Sequence, residues 1–161
     1  MRISFDLDDT LICYRPDVPR EPRLAWPIRL VAGDEPLRQG ARLLIRRLRE
    51  RGWEPWIYTT SYRRPASVRR WLWFHGIPVE RVINQEIHES HFLRAPVHRP
   101  PTKHPKAFGI DLHVDDCEGV RIEGQLHGFE VVVVSPDDAA WTEKIWAAAE
   151  EALRRRTEVQ H

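Results

Sequence analysis

The stretch FDLDDTL, residues 5–11, places three carboxylates directly after a short apolar run. Residues 1–6 have the length and apolar character of a β-strand that enters a protein core. Acidic side chains are rarely buried without a partner, and several of them close together repel one another. A buried strand that ends in such a cluster therefore predicts a cation-binding site at its carboxyl end.

The composition is that of an ordinary soluble globular protein. A chain of 161 residues can bury a proper core, so residues 1–161 are predicted to form one domain. The formal net charge of +1 does not indicate binding to nucleic acid or to a membrane. No apolar stretch approaches the ~20 residues that span a bilayer, and the first residues do not resemble a signal peptide. We therefore expect a cytoplasmic protein whose cysteines, Cys13 and Cys117, are reduced.

Apolar runs of strand length alternate along the chain with stretches of helical period. Strands are predicted at residues 1–6, 53–59, 79–84, 110–115 and 129–135. Helices are predicted at residues 37–51, 65–74 and 137–156. This order predicts an α/β fold, a three-layer sandwich around a mostly parallel, five-stranded, Rossmann-like sheet. Residues 13–36 and 87–105 are predicted to be loops or small excursions, and residues 12–36 could form a small flap.

Polar side chains collect where the predicted strands end, and ligands bind beyond the carboxyl ends of strands in sheets of this type. In chain order these residues are Asp6, Asp8, Asp9, Thr59, Thr60, Lys103, Lys106, Asp115 and Asp116. Carboxylate oxygens suit Mg²⁺, which prefers one or two carboxylates together with a substrate phosphate. A hydroxyl and an ammonium group would serve the phosphate itself. The sequence therefore predicts a magnesium-dependent site for a phosphorylated substrate.

These motifs, in this order, resemble those of the haloacid dehalogenase (HAD) superfamily. The resemblance rests on Asp6-Leu7-Asp8-Asp9-Thr10-Leu11, a hydroxyl after the second strand, a lysine, and Val114-Asp115-Asp116. It implies that Asp6 is a nucleophile that forms an aspartyl-phosphate and that Asp8 is the general acid and base. It also implies that Mg²⁺ is held by the carboxylates of Asp6 and Asp115 and the backbone carbonyl of Asp8. Asp116 would assist through water or by holding the lysine.

Two positions in the resemblance stay open. Thr59 matches the hydroxyl position better than Thr60 because it follows the apolar run directly, and Lys103 is favoured over Lys106 by its spacing from Gly109. The presence of Asp8 favours a phosphatase or phosphotransferase over a dehalogenase, because an alkoxide leaving group needs a proton.

The intervals between the motifs are too short for a helical cap domain, so the resemblance implies a capless or minimally capped enzyme with an open site. Such a site suits macromolecular phosphoesters, or small substrates when a second subunit covers the mouth, so a homo-oligomer is compatible with the sequence. Arg15, Arg63 and Arg64 follow the first two motifs and could grip a second anionic group.

Other interpretations remain for the same residues. The chain could be a catalytically idle HAD-like binding or regulatory module, although an idle site has no need of Asp8. A response-regulator receiver domain uses similar groups, but in a different chain order. Four histidines match no compact metal-ligand spacing and are interpreted as loop residues, namely His88, His91, His98 and His104.

Overall fold

The structure, a computed structural model, describes residues 1–93 and 101–159. Its five strands are β1 (Arg2–Phe5), β2 (Glu54–Tyr58), β3 (Arg81–Ile83), β4 (Leu112–Asp115) and β5 (Val131–Val133). They form one sheet in the order β3-β2-β1-β4-β5, and every pairing is parallel. The predicted five-stranded, Rossmann-like sheet is therefore confirmed, with β1 at its centre.

In the described part of the chain, six helices flank the sheet and complete a three-layer α/β sandwich. They are α1 (Trp26–Ala32), α2 (Ala41–Glu50), α3 (Pro65–Phe74), α4 (Gln85–Phe92), α5 (Glu118–His127) and α6 (Trp141–Val159), and a short 3-10 turn covers Pro105–Phe108. Helices α2, α3 and α6 share one apolar core with the sheet, and α1 packs on α3. A second, smaller cluster joins Ile87 of α4 to the other face of β2 and β3. Helix α5 connects β4 to the neighbouring strand β5 and packs on the latter.

The two faces of the sheet differ in polarity because successive side chains point to opposite sides of a strand. In β1, Ile3 and Phe5 belong to the main core, whereas Ser4 lies on the opposite face. In β4, Leu112 and Val114 belong to the same core, and His113 lies opposite. Ser4 and His113 are both fully buried, so the second face carries polar groups in its interior.

Pro55 lies inside β2, a central strand, where proline normally removes a ladder hydrogen bond. The amide of Glu54 points to β1, where it donates to the carbonyl of Met1, and the amide of Thr59 donates to Ile83 of β3. By alternation the missing N–H of Pro55 faces the β3 side. Strand β3 begins opposite Trp56, so no ladder bond is lost.

The chain between β1 and α2 corrects the predicted element boundaries. Helix α2 begins at Ala41 and not at residue 37, because Leu37 pairs antiparallel with Ile12 and Gly40 adopts a left-handed conformation at φ 90°. A second isolated bridge joins Arg20 to Arg38. Between these bridges, residues predicted as loop contain α1, a helix of seven residues.

Two further helices were not predicted. Helix α4 occupies the first part of the predicted loop at residues 87–105, and it begins where the Asn84 side chain accepts a hydrogen bond from the amide of Ile87 (3.0 Å). Helix α5 ends at Gly128, which is left-handed at φ 71°. Asn84 and Gly128 are residue types that commonly cap the N-terminal and C-terminal ends of helices, respectively. His98 lies outside the described residues.

Across residues 1–93 and 101–159, no helix combines the length and the apolar character needed to cross a membrane.

A glycine in α5 provides a test of this packing. The amide of Phe129 donates to the carbonyl of Gly124 (3.0 Å), and a Cβ at Gly124 would lie 2.6 Å from the Phe129 carbonyl oxygen. We expect Gly124→Ala to lower the free energy of unfolding by about 1–3 kcal/mol, because the backbone itself must shift. Urea unfolding followed by circular dichroism measures the loss.

Gly119→Ala in the same helix is the matched control. Its added Cβ would meet first the exposed Cys117 side chain, at 3.3 Å, which can move. Alanine favours a helix by about 1 kcal/mol, so this variant should be as stable as the wild type or more stable. Equal losses for the two variants would contradict the close approach at Gly124.

Candidate active site

Strand register brings Asp6 and Asp115 together. The pairing of β1 with β4 aligns Phe5 with Val114, and the amide of Asp6 donates to the Val114 carbonyl (2.9 Å). The next position along each of the two strands is therefore an aspartate at the carboxyl end of the sheet. Both are buried, with 7% of Asp6 and 1% of Asp115 exposed.

Lys103 lies between these two carboxylates. Its Nζ is 2.9 Å from Asp6 Oδ1 and 2.5 Å from Asp115 Oδ2, and only 2% of the residue is exposed. Burial alone would lower the pKa of Lys103, but the charges of Asp6 and Asp115 raise it above its ordinary value. The lysine is therefore a buried cation between two acids.

The two acids respond differently to the same surroundings. Burial raises the pKa of Asp6, and the nearby charge of Asp115 raises it further against the opposing effect of Lys103. Burial also works against ionisation of Asp115, but the hydrogen bond from His113 and the charge of Lys103 hold its pKa well below its usual range. Asp115 is thus the firmly ionised member of the pair.

The segment that carries Lys103 is anchored on both sides. Glu123 of α5 accepts hydrogen bonds from the amide of Thr102 (3.1 Å), from its hydroxyl (2.9 Å) and from the amide of Lys103 (3.4 Å). The Tyr58 hydroxyl accepts from the amide of His104 (3.0 Å). Lys106, the other candidate, is exposed on the 3-10 turn and takes no part in this ion-pair group.

His113 and Ser4 extend the network below Asp115, and sequence reasoning missed both. The Nε2 atom of His113 lies 3.0 Å from Asp115 Oδ2, and its Nδ1 lies 2.7 Å from the Ser4 hydroxyl. Burial lowers the pKa of His113, which favours the neutral ring. A carboxylate only accepts, so the proton is assigned to Nε2 and the Ser4 hydroxyl donates to Nδ1. A polar residue in the apolar run IDLHVD was the available signal.

Asp116 joins the two buried acids in a group that could hold a metal ion. One carboxylate oxygen from each of Asp6, Asp115 and Asp116 lies within 4.8 Å of the others. Within the described ranges, no other group of three or more acidic, histidine or cysteine side chains meets this criterion. Burial and the charge of Asp115 raise the pKa of Asp116. A purely oxygen donor set of this kind suits a hard divalent cation.

Hydrogen bonding leaves one position on Asp115 for such a cation. Its Oδ2 already receives Lys103 and His113, whereas Oδ1 accepts a single bond, from the amide of Cys117 (2.9 Å). Each carboxylate oxygen has two lone pairs, so Oδ1 keeps one for a metal. The residues present therefore fit a divalent cation.

Asp8 is separated from this acidic group. Its Oδ2 accepts from Nη1 of Arg63 (2.7 Å) and its Oδ1 from Nη2 (2.9 Å), a two-pronged salt bridge. The chain turns sharply after Asp8 because Asp9 is left-handed at φ 58° and the amide of Ile12 donates to the Leu7 carbonyl. The expected metal contact of the Asp8 carbonyl stays a prediction.

The two threonines after β2 differ in position. Thr59 is buried, and its hydroxyl oxygen accepts from the amide of Ser61 (3.1 Å). The Thr59 hydroxyl donates no hydrogen bond to any other described residue, so its proton is available to a ligand. Thr60 is exposed. Whether Thr59 binds phosphate stays a prediction.

Arg38 is a buried cation that the sequence did not reveal, because it lies among many arginines. Its guanidinium stacks on the Trp141 ring at 4.5 Å from the centroid. The Nη2 atom of Arg38 donates to three backbone carbonyls that follow β5, those of Ser135 (2.7 Å), Pro136 (3.1 Å) and Asp138 (3.0 Å). Arg38 thereby joins the start of α2 to the segment between β5 and α6.

The described histidines of the predicted loop serve other contacts. His88 is buried in α4, with Nδ1 2.5 Å from the Tyr58 hydroxyl, and His91 lies against the Phe108 ring. The His104 side chain accepts from the amide of Ala107 (3.1 Å). None of the three belongs to the acidic group that could hold a metal.

Comparison with solved structures supports the fold. A chain in "Structure of Pnkp1/Rnl/Hen1 complex" is similar over 82% of this chain and 45% of that chain, with TM-score 0.51 and 13% identity. A chain in "Structure of the Pnkp1/Rnl/Hen1 RNA repair complex" is similar over 82% of this chain and 41% of that chain, with TM-score 0.48 and 14% identity. The present chain thus spans less than half of either. No family model and no curated protein sequence matches it.

We expect Lys103→Met to destabilise the protein in the absence of divalent cations. The change leaves Asp6 and Asp115 buried without their counter-charge, a situation that costs about 3–5 kcal/mol in other buried pairs. Urea unfolding in the presence of a chelator measures the resulting loss in the free energy of unfolding. The control, Lys106→Met, alters an exposed side chain and should stay within about 0.5 kcal/mol of the wild type. Similar values for both would show that the buried lysine does not compensate the acids.

We also expect Mg²⁺ or Mn²⁺ to raise the unfolding temperature of the wild-type protein. A ligand at ~100 times its Kd stabilises the folded state by about 2.7 kcal/mol. Asp115→Asn should lose most of this shift, measured for each variant with and without metal. The control, Glu158→Gln, removes a charge from the exposed end of α6 and should keep the full metal-induced shift in unfolding temperature. An equal shift in Asp115→Asn would contradict the assignment.

Proposed function

We propose that the chain is a Mg²⁺-dependent phosphatase of the HAD type, which hydrolyses a phosphate monoester through an aspartyl-phosphate on Asp6. The observation that carries this proposal is the Lys103 ammonium held between the carboxylates of Asp6 and Asp115 at the carboxyl end of the sheet. The resemblance in motif order supports it, and the similar solved structures support the fold alone.

The first half-reaction transfers the phosphoryl group to the protein. A carboxylate oxygen of Asp6 attacks phosphorus, the bond from phosphorus to the ester oxygen breaks, and Asp8 gives its proton to the departing oxygen. The Oδ1 atom of Asp6 forms the ion pair with Lys103, so Oδ2 is the proposed nucleophile.

The second half-reaction releases phosphate. Asp8, now a carboxylate, takes a proton from a water molecule as that water attacks phosphorus, and the bond to the Asp6 oxygen breaks. The products are inorganic phosphate and the original Asp6 carboxylate. Lys103 and the Thr59 hydroxyl are proposed to hold phosphate oxygens throughout, with Lys103 kept in position by Glu123 and Tyr58.

Mg²⁺ would be held by Asp6 and Asp115, with Asp116 assisting, and when bound it supplies positive charge that offsets the substrate phosphate. Ser4 and His113 keep the Asp115 carboxylate oriented for this role through the chain Ser4–His113–Asp115. Ser4 and His113 would thus act on the metal site through Asp115, without contacting substrate.

The remaining features are proposals of the same kind. We propose that residues 1–161 form one domain, that the protein acts in the cytoplasm, and that residues 12–36 form a small flap at the site. The substrate can then be a small molecule or a macromolecular phosphoester, and a homo-oligomer is compatible with this arrangement.

The test is hydrolysis of p-nitrophenyl phosphate and of an alkyl phosphate, with Mg²⁺ and with a chelator. Asp6→Asn should lower kcat by about 10³-fold or more on both substrates. Asp8→Asn should lower kcat/KM, which reports the transfer to Asp6, by about 10²–10⁴-fold on the alkyl phosphate and far less on the aryl ester, whose leaving group scarcely needs a proton. Full activity in Asp6→Asn would refute the mechanism. A folded, Mg²⁺-binding protein without any turnover would favour the idle binding module.

A further inference from the structure

We propose that Arg63 is the receptor for a second anionic group of the substrate, and that this group frees Asp8 from its salt bridge. The inference rests on the proposed function, in which Asp8 is the general acid. It adds a substrate class, namely phosphate monoesters that carry a carboxylate or a second phosphate on the leaving-group side.

The first argument is that both oxygens of Asp8 are engaged. Each accepts one N–H of Arg63, at 2.7 and 2.9 Å, in the two-pronged geometry that makes arginine–carboxylate pairs strong. A carboxyl oxygen that delivers a proton must itself be a donor, so it cannot at the same time accept from Arg63 along that direction. Catalysis by Asp8 therefore requires at least one of these bonds to open.

The second argument is that the pair stands beside the proposed phosphate site. Asp8 is two residues after Asp6, and Arg63 is four residues after Thr59. The salt bridge thus joins the segments that leave the neighbouring strands β1 and β2 at the carboxyl end of the sheet. The pair therefore lies at the same edge of the sheet as Asp6 and Thr59.

The third argument is that the Arg63 side chain is free to change partners while its backbone is held. Asn84 donates to the Arg63 carbonyl (3.3 Å), and the amide of Gln85 donates to the Ser61 carbonyl (3.1 Å). The Arg63 side chain itself is 31% exposed. A substrate carboxylate or phosphate presents the same pair of oxygens as Asp8 and can replace it on the guanidinium.

The other contacts of Arg63 are weaker than its salt bridge with Asp8. Beyond Asp8, Arg63 has weaker contacts to Glu35 Oε1 (3.7 Å) and to the Tyr14 hydroxyl (3.4 Å). Arg64, the next residue, is exposed and makes no ion pair with the residues that the structure describes. Arg64 therefore adds positive charge next to Arg63 in the sequence without a carboxylate partner among the described residues.

A purely structural role is the competing explanation. The Tyr14 hydroxyl donates to Glu35, and both residues belong to the segment between β1 and α2. Arg63 could then serve only to tie this segment to the mouth. Such a tether would affect all substrates alike, whereas an anion receptor discriminates between substrates by charge.

The experiment uses two alkyl esters of similar size, 2-carboxyethyl phosphate and 3-hydroxypropyl phosphate, with 2,4-dinitrophenyl phosphate as a substrate that needs no general acid. For the wild type in Mg²⁺ we expect kcat/KM to be about tenfold or more higher for the carboxylate ester, as one charge-assisted contact provides. The Kd values of both esters for Asp6→Asn, measured by calorimetry, should show the same preference without turnover.

Variants of Arg63 separate the two explanations. Arg63→Gln should bring the ratio of the two kcat/KM values close to unity, and Arg63→Lys should keep part of it because the charge remains. Arg70→Gln, an exposed change on α3, should leave the ratio unchanged. Equal losses on both esters in Arg63→Gln, or no preference in the wild type, would overturn the proposal.

The failure of this proposal is distinguishable from the failure of the proposed function. Turnover of 2,4-dinitrophenyl phosphate that depends on Asp6, without a preference for the carboxylate ester, overturns only the role of Arg63. Absence of Mg²⁺-dependent turnover of all three esters overturns both.

Discussion

The ion pairs of Lys103 with Asp6 and Asp115 are the interaction on which the rest of the structure depends. Three charged groups are buried at one point, and each would be costly there without the others. Much of the surrounding structure keeps them in contact. The β1–β4 register aligns the acids, Glu123 and Tyr58 hold the lysine segment, and His113 donates to Asp115.

This arrangement makes the two faces of the sheet unequal. The face under α2, α3 and α6 is an apolar core that needs no polar partners, whereas the opposite face buries Ser4 and His113 beneath the acids. Well-packed apolar residues would stabilise the fold at least as well as a buried ionic network. The network lies at the carboxyl end of the sheet, where ligands bind in α/β folds.

Much of this could be predicted from particular residues. The acids of FDLDDTL and of Val114-Asp115-Asp116 follow apolar runs, so their position at strand ends follows from local pattern alone. Pro65 begins α3 and Gly76 lies beyond its end, and that helix has the bounds predicted for it. Helix α4 was missed because its apolar periodicity is weak, and α5 was missed as well, although Asn84 and Gly128 marked a boundary of each. Trp71 and Trp73 are two residues apart in α3 and lie on different faces, so that Trp71 is buried and Trp73 exposed.

The sequence by itself determined the parallel α/β sheet and the identity of the acids at its carboxyl end, because strand-length apolar runs and strand-end carboxylates are local properties. Only the tertiary structure decided which distant groups meet them. Lys103 and not Lys106 enters the buried pair, Arg63 occupies both oxygens of Asp8, and Ser4 supports His113 from another strand. These choices depend on strand register and on the path of loops, and a side chain carries no local mark of its distant partner.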